Sequence, residues 1–344
     1  MTESPLPLVG TERPTLKTIA AETGLAIATV SRALKDAPDI GAETKQRVRE
    51  TAQRLGYRQN RAAVRLRTGK TNVIALLLST ESDVMNHTSK LIYSIAEALR
   101  GTAYHLVVMP FFPDQDPLDT VRYIVETESA DGIILNQTKP DDPRIRYMVD
   151  HNFPFATHGR TDMGLDHPYF DFDNEAFGRL AVEVLAKKGR RHILMVAPPR
   201  NHMYSRHMIL GAVEAAAAHD LTFEVCTTVT SDSPAADVEA AMAARFGQPN
   251  RPDAIISGST TSAIAATTGA EHAGLMLGRD FDLVSKEAIR FLHRFRNEMI
   301  VVQEDVGRAG NFLARAVMAA IEGRAPDEGQ GLEVPQLADF RSAV

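Results

Sequence analysis

Few residues in this 344-residue chain have the types and spacing for chemistry. Asp171 and Asp173 stand two apart, an arrangement open to paired carboxylates. Asn174, Glu175 and Ala176 follow, however, and that context makes Asp173 an N-cap. His202 and His207 lie five apart, off a common helical face and with no carboxylate partner nearby, so they make no metal pair. Gly69-Lys70-Thr71 ends like a phosphate loop, but Val64 occupies the position where that loop needs glycine, and no strand precedes it. Cys226 is the sole cysteine, which excludes an intramolecular disulfide and a cysteine-built zinc cluster. No nucleophile elbow, Cys/His pair or metal-hydrolase signature occurs. The expectation is a protein that is not an enzyme and carries no cofactor or metal.

A second kind of chemistry, neutralising a polyanion, gathers near one end. Arg58, Arg61, Arg65, Arg67 and Lys70 form a basic run, and residues 1–70 hold 13 Lys and Arg against 7 Asp and Glu, a net +6. The remainder holds 25 against 37, a net −12, so the overall −6 hides a strong asymmetry. A basic run alone is as readily a solvated helix face. The elements before it give it a role.

Those elements are three short helices. Pro5, Pro7 and Pro14 mark residues 1–14 as a disordered tail. Thr15 is placed to cap a helix burying Leu16, Ile19 and Ala20, and Gly24 ends it. A second helix over Ile27–Lys35 has Val30, Ala33 and Leu34 on its apolar side, and a third over Ala42–Leu55 aligns Val48, Ala52 and Leu55 before Gly56. This is a helix-turn-helix head over 15–57, followed by a hinge or linker over 58–71.

From Val73 the pattern becomes short apolar runs alternating with amphipathic stretches. Strands are expected at Ile74–Leu78, Leu106–Met109, Gly132–Leu135, Phe153–Thr157, His192–Ala197, Phe223–Val229, Ala254–Ser257, Phe281–Val284 and Ile300–Val302, buried on both faces. The alternation predicts parallel sheets covered by helices in two lobes. The domain covers 72–330, with an N-lobe of about 72–172 and 304–330 and a C-lobe of about 173–303 and 331–344. Ligands of such sheets bind beyond the carboxyl ends of the strands. At 44% hydrophobic and 24% charged the composition is that of a globular protein. The longest aliphatic run, Val73–Leu78, cannot span a bilayer, so no membrane association is expected. Glu3 and Glu12 do not suit a secretory signal, and the expected location is cytoplasmic and nucleoid-associated.

Thr15–Thr71 closely resembles the DNA-binding head of the lactose-repressor/galactose-repressor (LacI/GalR) family of bacterial transcription regulators. The residues that carry it are Ala20-Ala21, Gly24, Thr29-Val30-Ser31-Arg32, Glu43-Thr44 to Arg47-Val48, Leu55-Gly56-Tyr57 and Asn60-Arg61-Ala62-Ala63 before Leu66. More loosely the likeness continues through Ala130-Asp131-Gly132-Ile133-Ile134, Asp173-Asn174 with Gly178, Gly189 with His192-Ile193, Arg206 with Gly211, and Gln303-Glu304-Asp305 with Gly310. It implies an all-α helix-turn-helix head, a hinge helix and a two-lobed α/β effector domain of the periplasmic-binding-protein type (type I).

By this resemblance Ile27 and Ala28 take the main base-reading positions and Arg32 follows a turn later. Ile27 and Ala28 can read a thymine methyl or a shape, whereas Arg32 can pair bidentately with guanine. Thr18, Thr29 and Ser31 suit phosphate oxygens. Leu16, Tyr57, Asn60, Arg61 and Ala63 complete the implied DNA-contacting set, with Leu66 wedging between base pairs in the minor groove. The proline usual before the hinge Asn is Gln59 here.

The resemblance places an effector between the lobes, with Asn136, Arg160 and Glu287 at contact positions, together with Ser257 and Asp305. Arg206 stands two residues early, with Met208 where the family's arginine is expected. Ser257-Gly258-Ser259-Thr260 and Ser285-Lys286-Glu287-Ala288 depart from the family pattern, and the aromatic expected after Val229 is replaced by Ser231-Asp232-Ser233. The expected ligand is a small sugar or polyol. The expected function is sequence-specific repression of carbohydrate uptake and catabolism genes from operator DNA by a homodimer or tetramer, relieved by that effector. The alternatives are a purine- or nucleoside-responsive or corepressor-dependent regulator, or a sugar-binding or sugar-modifying protein with an accessory head.

Overall fold

The computed structural model describes residues 14–57, 65, 69–80, 85–112, 114–288 and 290–340. Residues 1–13 of the expected tail at 1–14 and most of the hinge fall outside them. The chain divides into two compact units, Met1–Thr71 and Asn72–Val344.

In the first unit α1 (Leu16–Thr23) begins with a capping box. The Thr18 amide donates to the Thr15 hydroxyl at 3.4 Å and the Thr15 amide to the Thr18 hydroxyl at 3.1 Å. It ends at Gly24, whose φ of +68° lies in the left-handed region that glycine enters without strain. The turn to α2 (Ile27–Leu34) follows directly, and α3 (Ala42–Arg54) closes the trio. Ile19, Val30, Ala33, Val48 and Ala52 form the buried core, with Leu16, Leu34, Leu55 and Tyr57 packed around it. That core is small. Arg54–Glu22 at 2.7 Å and the Lys45 and Arg49 pairs with Asp36 add exposed ion pairs of modest worth.

The second unit holds two all-parallel sheets. The first comprises β1 (Val73–Ser79), β2 (His105–Phe111), β3 (Gly132–Leu135), β4 (Phe155–His158), β5 (Tyr169–Phe172) and β11 (Gln330–Glu333), in the order β11-β5-β4-β3-β1-β2. The second comprises β6 (His192–Val196), β7 (Thr222–Val225), β8 (Ala254–Ser257), β9 (Asp282–Glu287) and β10 (Ile300–Gln303), in the order β10-β9-β8-β6-β7. Alternate residues of one strand face opposite helix layers, which is why the strands read as unbroken apolar runs. Ile74, Leu76 and Leu78 pack on α4 (Met85–Ala98) and α12 (Val306–Ile321); Ala75 and Leu77 pack on α5 (Pro117–Thr127) and α6 (Pro143–Asp150). In the second sheet Ile193 and Met195 face α7 (Asn174–Lys187) and α8 (Met203–Ala218), while Leu194 and Val196 face α9 (Ala235–Phe246) and α10 (Thr260–His272). A short α11 (Leu292–Phe295) lies between β9 and β10.

Gly178 and Gly211 let α7 and α8 cross in close contact. A Cβ at Gly178 would run into the Met208 carbonyl oxygen, and one at Gly211 into that of Glu175.

Three expectations need correction. β2 and β7 are not buried on both faces: each is an edge strand, with Val107 and Val108 exposed on β2 and no fully buried residue in β7. The expected strand at Phe223–Val229 is shorter, Thr222–Val225. Residues 331–333 do not belong to the C-lobe, because Gln330–Glu333 pairs with β5 at the edge of the first sheet through backbone hydrogen bonding, with no apolar run to announce it. Only beyond that strand does the chain return to the second lobe, where Phe340 stacks against Phe177 at 6.0 Å. Hence the chain crosses between lobes three times, after β5, β10 and β11. The crossovers are tied together: the Asp173 amide donates to the Glu333 carbonyl at 2.8 Å.

Candidate functional site: an interlobe cleft and a helix-turn-helix face

A cleft of about 940 Å³, its open mouth included, lies where the carboxyl ends of the two sheets meet. Asn136 and Gln137 follow β3, His158 ends β4 and Asp171 sits in β5. His87 enters from α4. From the other side come Pro198 after β6, Ser231 and Asp232 after β7, Gly258 to Thr261 after β8, Lys286 and Glu287 in β9, and Tyr204 from α8. Glu304 reaches in from the second crossover, and Asn174 from the start of α7.

A lysine and a glutamate pair inside the cleft. Lys286 Nζ lies 2.9 Å from Glu304 Oε2 and donates to Asn174 Oδ1 at 2.9 Å, beneath the rings of Phe172 and Tyr204. Burial alone would raise the Glu304 carboxyl, but Lys286, His87 and His158 outweigh it and hold it well below the usual carboxylate range. Burial and the neighbouring His87 bring His158 down to about 3, so it is neutral. Asp171 is pushed up to about 6 by burial, opposed by Arg160, whose Nε donates to it at 2.7 Å. Asn136 is buried, and its side-chain oxygen finds no partner among the described residues. An unsatisfied acceptor on a cleft wall is a place for a ligand donor.

In the head, α2 presents Ile27, 43% exposed, and Ala28 at its first turn, with Thr29 and Ser31 half-buried beside them. Val30 and Ala33 point into the core, so the helix offers one face only. Ala26 supplies no side-chain cap, which leaves first-turn amides to meet a phosphate. Arg32 is exposed and braced by Asp39.

Residues 71–290 match the family described as periplasmic binding proteins and sugar binding domain of LacI family, and residues 15–60 match bacterial regulatory proteins, lacI family. The transcriptional regulator RafR of Escherichia coli is 30% identical over 323 residues, covering 92% of this chain and 94% of that protein. AglR of Rhizobium meliloti is 29% identical, covering 89% and 87%. This chain belongs to the LacI family. Among solved structures, the lac repressor dimer bound to operator and the anti-inducer ONPF shares the fold with a TM-score of 0.81 at 19% identity, covering 96% of this chain and 100% of that one.

A LacI-family regulator binds DNA through its head, and several of the residues expected there lie on the exposed face of α2. Thr18 also serves the capping box. Leu16 and Tyr57 pack against the head core, and burial raises the Tyr57 phenol. Asn60, Arg61, Ala63 and Leu66 lie outside the described residues.

Of the expected effector residues the cleft holds Asn136 and Glu287, but the Glu287 carboxylate already accepts the Phe291 and Leu292 amides at 3.0 and 2.9 Å. The other four do not line it. Arg160 stands behind Asp171 as its ion-pair partner. Arg206 is exposed on α8, 3.2 Å from Asp162. Ser257 is fully buried and donates to the Ser259 carbonyl at 3.0 Å, shaping the loop that does line the cleft. Asp305 caps α12, accepting the Arg308 amide at 3.0 Å, while its neighbour Glu304 points inward. Sequence reasoning missed His87, His158, Tyr204 and Glu304 as a group. The usable signal was position at strand ends, which His158 and the residue after Gln303 both satisfy. Among the described residues no helix is long and apolar enough to cross a membrane.

Proposed function

We propose that this LacI-family regulator represses genes of carbohydrate uptake and breakdown, and that a small neutral sugar or polyol bound in the cleft relieves the repression. One observation carries the ligand class: Lys286, the one lysine on the cleft wall, is already matched by Glu304, Asp171 by Arg160 behind it, and Glu287 accepts backbone amides, while Asn136 keeps an unpartnered oxygen. A charged ligand would leave one of these buried pairs unbalanced, whereas hydroxyl groups donate and accept without adding charge. Thr260 and Thr261 supply further hydroxyls, and Tyr204 lines the same cleft. A solved relative of like fold, TM-score 0.67 at 22% identity, is the regulator CelR in complex with cellobiose.

The DNA-bound form is a homodimer on a two-fold operator in the cytoplasm, in keeping with the relative solved as a dimer on operator. Ligand bound to both lobes favours their closure about the three crossovers, and the coupling to DNA affinity is about 1–3 kcal/mol. The test is a calorimetric panel of disaccharides, trisaccharides, polyols, nucleobases and amino acids, followed by gel shifts on the DNA beside the protein's own gene. Sugar binding that weakens the shift supports the reading; binding of nucleobases or amino acids alone would sink it.

A further inference from the structure

The floor of the cleft carries a feature that a neutral sugar does not require. His87 and His158 stack nearly parallel, their ring centroids 5.1 Å apart, and both direct Nε2 at one oxygen, Glu304 Oε1. The separations are 3.4 Å from His87 and 3.8 Å from His158. A charge-assisted hydrogen bond would close to about 2.8 Å. Ligand atoms at about 2.1 Å from a shared tetrahedral ion, by contrast, stand about 3.4 Å apart along each edge. His87 is within long hydrogen-bond reach of Glu304, and the three ligand atoms all lie within 4.8 Å of one another, close enough for one ion to draw them together.

We propose that His87, His158 and Glu304 form a binding site for a divalent transition metal of the zinc type, with the fourth position open to the cleft. Two imidazoles and a carboxylate are a donor set for zinc, and three protein ligands with one open position are the arrangement of an accessible rather than a closed site. This is the only such trio of metal-ligating side chains among the described residues. Glu304 is buried and His158 nearly so, set by the second crossover and the end of β4, while His87, on the first turn of α4, is the more accessible third arm. Lys286 opposes the ion. It holds the other carboxylate oxygen, and its charge weakens attraction for any cation, which makes affinity tunable at one residue.

The experiment uses full-length, untagged, metal-stripped protein titrated with zinc chloride against a chromophoric chelator, and with cobalt chloride read by visible absorption. One equivalent per chain is expected, with the intense visible bands of tetrahedral cobalt. His87→Ala, at a half-buried position, should weaken binding at least about tenfold, and so should His158→Gln, since amides are poor ligands for this ion. Lys286→Met should tighten it. Sugar affinity measured on the same metal-free samples stands independently of these results. Absence of a competing equivalent, or retention of it in both histidine variants, would overturn the site, the latter by assigning the ion to other histidines.

Discussion

Replacing His158 with glutamine should flatten the acid limb of the protein's stability curve. His158 is 10% exposed, stacked on His87 and facing Glu304, and burial with His87 brings its pKa to about 3. In the unfolded chain an imidazole titrates near 6.5. As pH falls from 7 to 5 the unfolded state therefore takes up a proton here that the folded state refuses. Stability falls with pH whenever the unfolded state binds the extra proton, and integrating over this interval gives a loss of about 2 kcal/mol from this residue. Glutamine sets an amide near the position of Nε2 and does not titrate, so the loss disappears in the variant.

Two carboxylates beside His158 contribute alike in both proteins. Glu304 stays ionised throughout, since its carboxyl is held well below the ordinary range. Asp171 acts in the opposite sense, because its pKa of about 6 exceeds the unfolded value; acidification to pH 5 returns about 1 kcal/mol, in wild type and variant alike. The diagnostic quantity is thus the difference between the two proteins' pH slopes, followed as the main calorimetric transition at pH 7 and pH 5. Wild type should lose about 2 kcal/mol more, roughly 4 to 6 °C in melting temperature. Parallel slopes would refute the reasoning, because they would mean that folded His158 accepts its proton as readily as the unfolded residue does.

Three further outcomes follow from the packing and the cleft. Ile19→Ala removes the fully buried centre of a five-residue core and should destabilise the head by about 2–5 kcal/mol, abolishing operator binding in gel shifts. The larger unit's calorimetric transition should stay in place, and its loss would contradict the division of the chain at residue 71. Gly211→Ala forces α7 and α8 apart against the Glu175 carbonyl and should lower that same transition by about 1–3 kcal/mol or more; an unchanged melting temperature would show the contact to be slack. Asn136→Ala should weaken sugar binding about tenfold in calorimetry while DNA affinity without sugar is unchanged, since a lost hydrogen bond is worth about 1.4 kcal/mol here. Equal sugar affinity would remove Asn136 from the ligand's contacts.

The head was legible because each of its determinants is local. Thr15, Gly24 and the apolar spacing of Ile19, Val30, Ala33, Val48 and Ala52 act within one turn or one helix face, and the α2 surface follows from them. The parallel sheets were legible for a related reason: a strand covered on both sides has to be apolar at every position, as Ile74 to Leu78 is. β5 and β11 escaped because Asp171 interrupts the apolar run of β5, and Gln330-Gly331-Leu332-Glu333 has no apolar pattern of its own and is held by backbone pairing with β5.

The cleft resisted reading for a different physical cause. His87 and Glu304 are 217 residues apart and meet only because a helix start and an interlobe crossover converge on the end of β4. Examining histidines for nearby carboxylates along the chain could reject His202 and His207 but could not find a trio assembled across three elements. Charge was equally misleading at that distance. Asp305 has the more exposed carboxylate, yet it is spent on the first turn of α12, and the adjacent Glu304, buried and facing Lys286, gives the cleft its chemistry. Capping rules account for the first choice, since a carboxylate one residue before a helix satisfies orphan amides. They bear on the second as well: with Asp305 fixed as the cap, the preceding side chain is left to face the cleft, where Lys286 holds its charge beside the two histidines.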